Sequence, residues 1–157
     1  MEELIKLLTK QNKTIATMES CTGGGIANAI TNMPGASEVL KFSAVTYSNE
    51  YKIKMGVSAE VIDKYTVYSM ETAMEMSNKI SDFANADIGV GVTGKINRED
   101  IRNKSGDDSK IFVSIYDKQN VKYYNFSLFA NPQLDREQNK LEIISFISQK
   151  LIEILKK

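Results

Sequence analysis

The chain has 157 residues, enough for one compact domain that buries roughly 70% of the surface its unfolded form would expose. Its 20 basic and 20 acidic side chains leave no net charge, so the composition does not support nucleic-acid binding. One cysteine and no histidine exclude a disulfide framework, a Cys/His zinc site and every catalytic triad that depends on histidine.

The distribution of apolar residues argues against a membrane partner. No apolar stretch approaches the roughly 20 residues that cross a bilayer. The amino terminus, Met1-Glu2-Glu3, begins with acids rather than with the basic region of a secretion signal. We therefore expect a cytoplasmic protein.

The first half of the chain predicts helices and strands in alternation. Apolar residues at helical spacing predict a helix over residues 2–10, and alternation predicts a strand over residues 14–18. A glycine turn at residues 23–25 opens the next helix, which should end near Pro34-Gly35. The remaining elements of this half are a strand over residues 42–47 and a short helix over residues 50–55 that ends at Gly56.

The second half predicts two capped helices, a buried strand, a hairpin and a long terminal helix. Ser58 and Ser69 can each cap a helix. The second helix, over residues 70–84, should turn one face to the core, made of Met70, Ala73, Met74, Ser77, Ile80 and Ala84. The elements that follow are a strand over residues 88–92, a hairpin of strands 111–116 and 121–129, and a helix that opens at Asn131-Pro132 and ends near residue 155. The predicted fold class is α/β, and the hairpin makes its sheet mixed.

A serine at the end of the first strand is the candidate nucleophile. Ser20 precedes Cys21, Thr22 and the glycine turn, so backbone N–H groups near its side chain could stabilise an oxyanion. Without a histidine, its proton acceptor must be another residue type, and lysine is the leading candidate. Two alternatives remain open, since Ser20 could be a helix cap before an ordinary tight turn and Cys21 could be the nucleophile.

Two further polar clusters contain candidate partners for that serine. If Lys52 lies near Ser20, loss of water would lower its pKa from about 10.4 and let it act as a general base. Tyr47 could then bind the substrate or relay a proton. Arg136 and Lys140 lie one helical turn apart and could bind a phosphate or a carboxylate. The alternatives are a solvated surface lysine and a salt-bridged surface helix.

Two glycine-containing segments resemble nucleotide-binding motifs in part, and each lacks a feature that its motif requires. The run Gly89-Val90-Gly91-Val92-Thr93-Gly94 spells G-x-G-x-x-G, but it lies inside the apolar strand and no helical pattern follows it. The triple glycine after Thr22 lacks the Gly-Lys-Ser/Thr ending of a P-loop. Neither motif therefore predicts a nucleotide cofactor.

Several separated segments of the chain form one pattern. They are Glu19-Ser20-Cys21-Thr22-Gly23-Gly24, Val45-Thr46-Tyr47-Ser48-Asn49-Glu50 with Lys52 and Gly56-Val57, Val92-Thr93-Gly94, Asn32-Met33-Pro34-Gly35-Ala36-Ser37 and Tyr68-Ser69-Met70-Glu71. In composition, order and spacing this pattern resembles the CinA carboxyl-terminal domain, the nicotinamide-mononucleotide deamidase family. The resemblance covers the chain from about Thr14 onward, apart from the segment between Lys95 and Ser109.

The resemblance implies a three-layer α/β/α domain with an activity in pyridine nucleotide salvage. It implies hydrolysis of the carboxamide of nicotinamide mononucleotide to nicotinate mononucleotide and ammonia. By resemblance, Ser20 is the nucleophile, Lys52 is its partner and Tyr47 is the tyrosine of the same block. The substrate-binding residues implied in the same way are Cys21, Thr22, Gly23, Gly24, Thr93, Arg136 and Lys140. Lys140 stands where the family has an arginine and lacks its bidentate fork.

The segment over residues 95–110 departs from the family pattern. Family members have a glycine- and proline-rich loop there, whereas this segment is charged and polar, with Gly106 as its only glycine and no proline. It shows no sustained period and is predicted to be a mobile loop. By this resemblance we expect the stand-alone form of the family, without its optional amino-terminal domain.

The resulting hypothesis is an amidohydrolase that acts on a small nucleotide and requires no metal or organic cofactor. Whether it forms a homo-oligomer stays open. One alternative is a catalytically silent nucleotide-binding or interaction protein with the same fold, suggested by the altered segment. Another alternative keeps the Ser-Lys chemistry and changes the amide substrate.

Overall fold

A mixed five-stranded sheet lies at the centre of the computed structural model, which describes residues 1–157. Its strands are β1 (Ile15–Glu19), β2 (Leu40–Val45), β3 (Ile88–Gly94), β4 (Lys110–Asp117) and β5 (Lys122–Phe129), in the order β2-β1-β3-β4-β5. Strand β1 runs parallel to both β2 and β3, whereas β4 is antiparallel to β3 and forms a hairpin with β5. The mixed sheet predicted from the hairpin is confirmed.

Helices cover both faces of this sheet. They are α1 (Glu2–Lys10), α2 (Gly25–Thr31), α3 (Ala36–Val39), α4 (Asn49–Lys54), α5 (Ala59–Tyr65), α6 (Met70–Ala84) and α7 (Arg136–Leu155). The larger apolar core joins α1, α2, α3 and α7 to one face, and a smaller core joins α5 and α6 to the other. The three-layer α/β/α arrangement is thus confirmed. None of the helices combines the length and the apolar character that a membrane span requires.

Helix α6 packs closely on β3 because that strand has no side chain at two positions. A Cβ at Gly89 would overlap the Ser77 carbonyl oxygen, and a Cβ at Gly91 would overlap the Ala73 carbonyl oxygen. The glycines of the G-x-G-x-x-G match therefore serve helix packing within the sheet. This agrees with the sequence-based rejection of a dinucleotide fingerprint.

The buried face of α6 is rotated from the predicted one. Met70 and Met74 are only partly buried, whereas Met76 is fully buried, so the predicted core positions of the first two are wrong. The buried residues of α6 are Thr72, Ala73, Met76, Ser77, Ile80 and Ser81. The prediction of Ala73, Ser77 and Ile80 on the buried face is confirmed. Hydropathy misses Thr72 and Ser81 because close contact with the glycines of β3 favours small side chains as well as apolar ones.

The start of one helix differs from the sequence prediction, and another helix was not predicted. Helix α7 begins at Arg136 rather than at Asn131-Pro132, because the Asp135 and Gln138 side chains each accept a hydrogen bond from the other residue's backbone N–H. Asn131 instead closes a turn by accepting from the Gln133 N–H. Helix α3 has only four residues, too few to show a helical period in the sequence.

Candidate active site

The candidate nucleophile lies between the end of β1 and the glycine turn. Strand β1 ends at Glu19, and the Ser20 N–H still donates to the Val92 carbonyl oxygen of β3 at 3.1 Å. Gly23 and Gly24 then adopt left-handed φ angles of 63° and 89°, which side chains disfavour, before α2 begins. The sheet and the turn together hold the Ser20 side chain at the carboxyl end of β1.

The candidate base reaches Ser20 from beyond the neighbouring strand β2. That strand ends at Val45, two residues earlier than predicted, and the Thr46 N–H donates to the Glu19 carbonyl oxygen at 2.8 Å. Helix α4 directs the Lys52 side chain back into the protein, where the residue is 2% exposed. Its Nζ lies 3.2 Å from Ser20 Oγ and 2.8 Å from the Thr46 carbonyl oxygen. The predicted convergence is confirmed, and the surface-lysine alternative is wrong.

Burial changes the acid–base behaviour of Lys52. Removal from water lowers the pKa of its amine from 10.5 to about 8, and no carboxylate forms a salt bridge with it. The lowered pKa increases the fraction of the protein that carries a neutral amine at pH 7. Because the Thr46 carbonyl oxygen takes one N–H, the lone pair of the neutral amine can face the Ser20 hydroxyl.

Cys21 is a poor candidate for the nucleophile because of its surroundings. The residue is 2% exposed, and burial raises the pKa of its thiol to about 12. Such a thiol carries almost no thiolate at neutral pH, and the thiolate is the reactive form. Ser20 therefore remains the candidate nucleophile of the turn.

A buried carboxylate beside Ser20 holds the start of α2, a role that the sequence did not reveal. Glu19 is fully buried and accepts hydrogen bonds from the hydroxyls of Thr17 and Thr22. It also accepts from the backbone N–H groups of Ile26 and Ala27, at 3.0 and 2.9 Å. Because this carboxylate occupies the first amides of α2, those amides are not available to a ligand. The one sequence signal was an acid between an apolar strand and a glycine turn.

Three backbone N–H groups of the turn donate no hydrogen bond to another residue of the chain. They belong to Cys21, Thr22 and Gly24, whereas the Gly23 N–H donates to the Ser20 carbonyl oxygen at 3.0 Å. Preorganised N–H groups near a nucleophile are the donors that stabilise an oxyanion. The candidate oxyanion donors are therefore turn amides, not the start of the helix.

Replacing Glu19 with glutamine is expected to lower the free energy of unfolding by about 3 kcal/mol. The glutamine NH2 group would face other donors, such as the Ile26 N–H, and the charge-assisted hydrogen bonds would be lost. Urea denaturation measures the change. Glu50→Gln is the control, because Glu50 is exposed and pairs with Lys54 across one helical turn. A loss below about 1 kcal/mol for Glu19→Gln would contradict this structural role.

A cleft of about 1040 Å³ opens beside Ser20. Tyr47 and Arg136 lie on one side of it, and the Tyr47 residue is 65% exposed. The Arg136 guanidinium donates to the Tyr47 hydroxyl and to the Ile96 carbonyl oxygen, both at 3.3 Å. Tyr47 forms no hydrogen bond with Ser20 or Lys52, so its position suits contact with a ligand better than proton relay.

Lys140 adds a second cation beside the glycine turn. Its Nζ lies so close that a Cβ at Gly23 would be 3.3 Å from it. Neither Arg136 nor Lys140 takes part in a salt bridge. The salt-bridged surface helix considered from the sequence is therefore wrong for these two residues. Their positive charges are available to an anion.

The structure does not bring the Thr93 side chain to the cleft. Thr93 is fully buried, and its hydroxyl donates to the Val67 carbonyl oxygen at 2.7 Å. This hydrogen bond ties β3 to the chain that precedes α6. Because the hydroxyl is already paired and has no exposed surface, the Thr93 side chain is not available to a ligand in this structure.

The charged segment over residues 95–109 forms one wall of the cleft and is bonded to the rest of the fold. Lys95 is buried at its start. The Tyr68 hydroxyl donates to the Asp100 carboxylate, which also accepts from the Asn103 side chain at 3.0 Å. Asn103 in turn accepts from the Asn49 side chain of α4 at 3.0 Å. These bonds link the segment to α4, the helix that carries the candidate base. The mobility expected from the sequence stays a prediction.

The family model of the CinA C-terminal domain matches residues 1–153 of the chain. The chain belongs to this family. The membership expected from the separated motifs is confirmed. The match also spans residues 95–109, where the loop pattern of the family is absent.

Curated relatives of this CinA domain are much longer proteins. A Clostridium novyi (strain NT) protein, provisionally named competence-damage inducible protein, is 36% identical over 154 residues, which are 97% of this chain and 37% of that protein. A protein of the same name from Caldanaerobacter subterraneus subsp. tengcongensis is 49% identical over 96 residues, which are 60% of this chain and 23% of that protein. The chain thus spans well under half the length of these relatives.

Solved structures share the fold of this CinA domain. A competence or damage-inducible protein from Enterobacter asburiae matches with a TM-score of 0.87 and 25% identity, covering 98% of this chain and 94% of that one. A CinA superfamily protein from Klebsiella pneumoniae 700603 matches with a TM-score of 0.88 and 23% identity, covering 99% and 94%. The names of these proteins state no reaction, so the chemistry has to be inferred from the site.

Proposed function

We propose that this CinA domain hydrolyses the carboxamide of nicotinamide mononucleotide, releasing ammonia and nicotinate mononucleotide. The observation that carries the proposal is the buried Ser20–Lys52 pair beside the cleft, with 3.2 Å between Oγ and Nζ. A serine next to a desolvated lysine is a nucleophile with its own base. The pair supports amide hydrolysis in general, and the nucleotide substrate comes from the family that the motifs resemble.

In the first half of the proposed reaction, neutral Lys52 accepts the Ser20 proton. Oγ attacks the carboxamide carbon, and the turn amides stabilise the negative charge that develops on the carbonyl oxygen. The protonated Lys52 amine then gives its proton to the departing nitrogen. The C–N bond breaks, ammonia leaves, and the nicotinate group stays esterified to Ser20.

In the second half, water cleaves this ester. Lys52 accepts a water proton while the water oxygen attacks the ester carbon, and it returns that proton to Ser20 Oγ as the C–O bond breaks. Nicotinate mononucleotide leaves, and both side chains regain their starting protonation. These steps use only the residues of this chain and water.

Arg136 and Lys140 are the proposed site for the substrate phosphate. Neither cation has a carboxylate partner, and Lys140 lies beside the glycine turn that follows Ser20. A guanidinium can bind phosphate with two parallel hydrogen bonds, whereas an ammonium acts as a point charge. Arg136 is therefore expected to contribute more of the binding than Lys140.

Replacing Lys140 with methionine is expected to raise KM for nicotinamide mononucleotide by roughly tenfold with little change in kcat. The Lys140 cation is expected to bind the phosphate equally well in the ground state and in the transition state. Loss of this cation therefore weakens substrate binding without slowing the chemical step. Arg136→Met should have the larger effect. Steady-state kinetics with nicotinamide riboside provides the control, since this substrate lacks the phosphate. Equal losses on both substrates would show that the cations act in another way.

Ammonia release by the purified protein is the direct test of the proposed function. Stoichiometric formation of ammonia and nicotinate mononucleotide would support it. Calorimetric binding of the mononucleotide without release would instead favour a silent nucleotide-binding protein, the alternative suggested by the altered segment over residues 95–109. Release from another small carboxamide, but not from the mononucleotide, would keep the Ser-Lys chemistry and reject the substrate.

A further inference from the structure

One buried hydroxyl next to the Ser20–Lys52 pair has no hydrogen-bond partner. Thr46 is 1% exposed, and its Oγ1 is the one buried side-chain polar atom without a partner in the structure. Burying a hydroxyl unpaired is unfavourable, and such groups in folded proteins usually bind an ordered water. The Thr46 hydroxyl therefore needs a hydrogen-bond partner from outside the chain, such as a water molecule.

The backbone of Thr46 contacts the residues around the Ser20–Lys52 pair on two sides. Its N–H donates to the Glu19 carbonyl oxygen at 2.8 Å, directly before Ser20 in the chain. Its carbonyl oxygen accepts from the Lys52 Nζ at 2.8 Å. The hydroxyl and the carbonyl oxygen of one residue are separated by only about 5 Å at most, because few covalent bonds join them. Since that carbonyl oxygen lies 2.8 Å from Nζ, Oγ1 lies within about 8 Å of the Lys52 amine.

The Lys52 amine itself has unused hydrogen-bonding capacity. It offers three hydrogen-bonding directions, and the Thr46 carbonyl oxygen and Ser20 Oγ occupy two of them. A water in the third direction could bond to both Nζ and the Thr46 hydroxyl. Two to four polar partners are what a buried water requires.

We propose that the Thr46 hydroxyl holds the water that releases the acyl group from Ser20. The inference rests on the proposed function, because it assigns a residue to the second half of that reaction. Once Ser20 is esterified, its oxygen no longer carries a proton for Lys52 to accept, and the amine lone pair can take a proton from this water. The water oxygen then forms a bond to the ester carbon, the bond from that carbon to Oγ breaks, and Oγ recovers the proton from Lys52.

The role assigned to Thr46 separates the two halves of the reaction. Formation of the ester needs Ser20 and Lys52 but no water, so loss of the Thr46 hydroxyl should leave it largely unchanged. Cleavage of the ester needs a positioned water and should slow. A purely structural defect would slow both halves together.

The test compares Thr46→Val, which has the same shape without the hydroxyl, with Thr46→Ser, which keeps it. For Thr46→Val we expect steady-state ammonia release at least about tenfold slower than wild type, after an initial burst of one ammonia per active site. Intact-protein mass spectrometry should then show the esterified protein, which the wild type does not accumulate. Thr46→Ser should behave like the wild type. Neither variant should lower the thermal midpoint, because Oγ1 has no partner in the protein to lose.

Crystallography gives a second readout that needs no substrate. A high-resolution structure of the wild type should show an ordered water bonded to Thr46 Oγ1 and Lys52 Nζ, and Thr46→Val should lack it. Absence of this water from the wild type would overturn the proposal, as would a Thr46→Val protein that turns over normally or loses the burst. A wild type that releases no ammonia would reject the proposed function itself. Normal wild-type turnover with an unaffected Thr46→Val would reject only the assignment of Thr46.

Discussion

Replacing Ser20 with alanine is expected to lower ammonia release from nicotinamide mononucleotide by at least about a thousandfold. The variant keeps the cleft and the two cations near it, but it lacks the oxygen that attacks the carboxamide carbon. The Ser20 hydroxyl accepts one hydrogen bond from the Lys52 amine. Because a single hydrogen bond contributes little net stability, removal of this hydroxyl should change the free energy of unfolding by no more than about 1 kcal/mol. Steady-state assays of ammonia and thermal unfolding measure the two quantities.

Two other variants are controls for the effect of Ser20→Ala on activity. Cys21→Ala should keep most of the wild-type activity, because the buried thiol is not ionised at neutral pH. Ser37→Ala changes an exposed serine on α3 and should leave the activity unaltered. A fully active Ser20→Ala protein would reject the nucleophile assignment. So would a folded but inactive Cys21→Ala protein, which would point to the thiol instead.

Replacing Lys52 with methionine is expected to abolish most of the activity, with a loss of about a thousandfold. Methionine fills a similar volume but cannot accept the Ser20 proton. The control is Lys54→Met on the same helix, because Lys54 is exposed and pairs with Glu50. Steady-state ammonia assays on the wild type, Lys52→Met and Lys54→Met measure the loss. Equal activity of the two variants would show that Lys52 does not take part in the mechanism.

The pH dependence of the wild type tests the same residue without a mutation. Only the neutral Lys52 amine can act as a base, and burial lowers the pKa of this amine to about 8. The value of kcat/KM should therefore rise about tenfold per pH unit below pH 8 and level off above it. A flat profile between about pH 6 and pH 9 would contradict this role.

Burial of Lys52 should also make stability depend on pH. Below pH 8 the amine is protonated in both the folded and the unfolded chain, and the folded protein bears the full cost of the buried charge, about 3 kcal/mol. Between pH 8 and 10.5 only the unfolded chain still binds the proton, so the free energy of unfolding of the wild type rises relative to Lys52→Met. Urea denaturation of both proteins should show their difference changing by about 3 kcal/mol across this range. A constant difference would mean that the folded pKa is not lowered.

Local sequence pattern determined the secondary structure of the sheet. Alternation and apolar runs predicted all five strands to within two residues at either end. This works because a strand buries side chains with a period of two, or on both faces when it is central, and both patterns are visible in a short window. The start of α7 was misplaced because two residue pairs, Asn131-Pro132 and Asp135 with Gln138, both carry capping chemistry and only one can begin the helix.

The sequence also identified the polar blocks of the candidate site, since Ser20, Lys52 and Arg136 stand in separated motifs whose spacing marks the family. It did not predict that Glu19 would bind the start of α2, nor that Thr93 would be paired and buried.

The order and type of the residues thus determined the family, the strands and the residues that can carry chemistry. The tertiary structure decided which of those residues lose water and which meet. Parallel pairing of β1 with β2 brings the Lys52 amine to Ser20, and the same packing lowers its pKa and leaves the Thr46 hydroxyl without a partner. These outcomes depend on contacts between residues far apart in the chain. Local pattern carries no information on such contacts, because burial and hydrogen bonding are set by the neighbours that folding brings together.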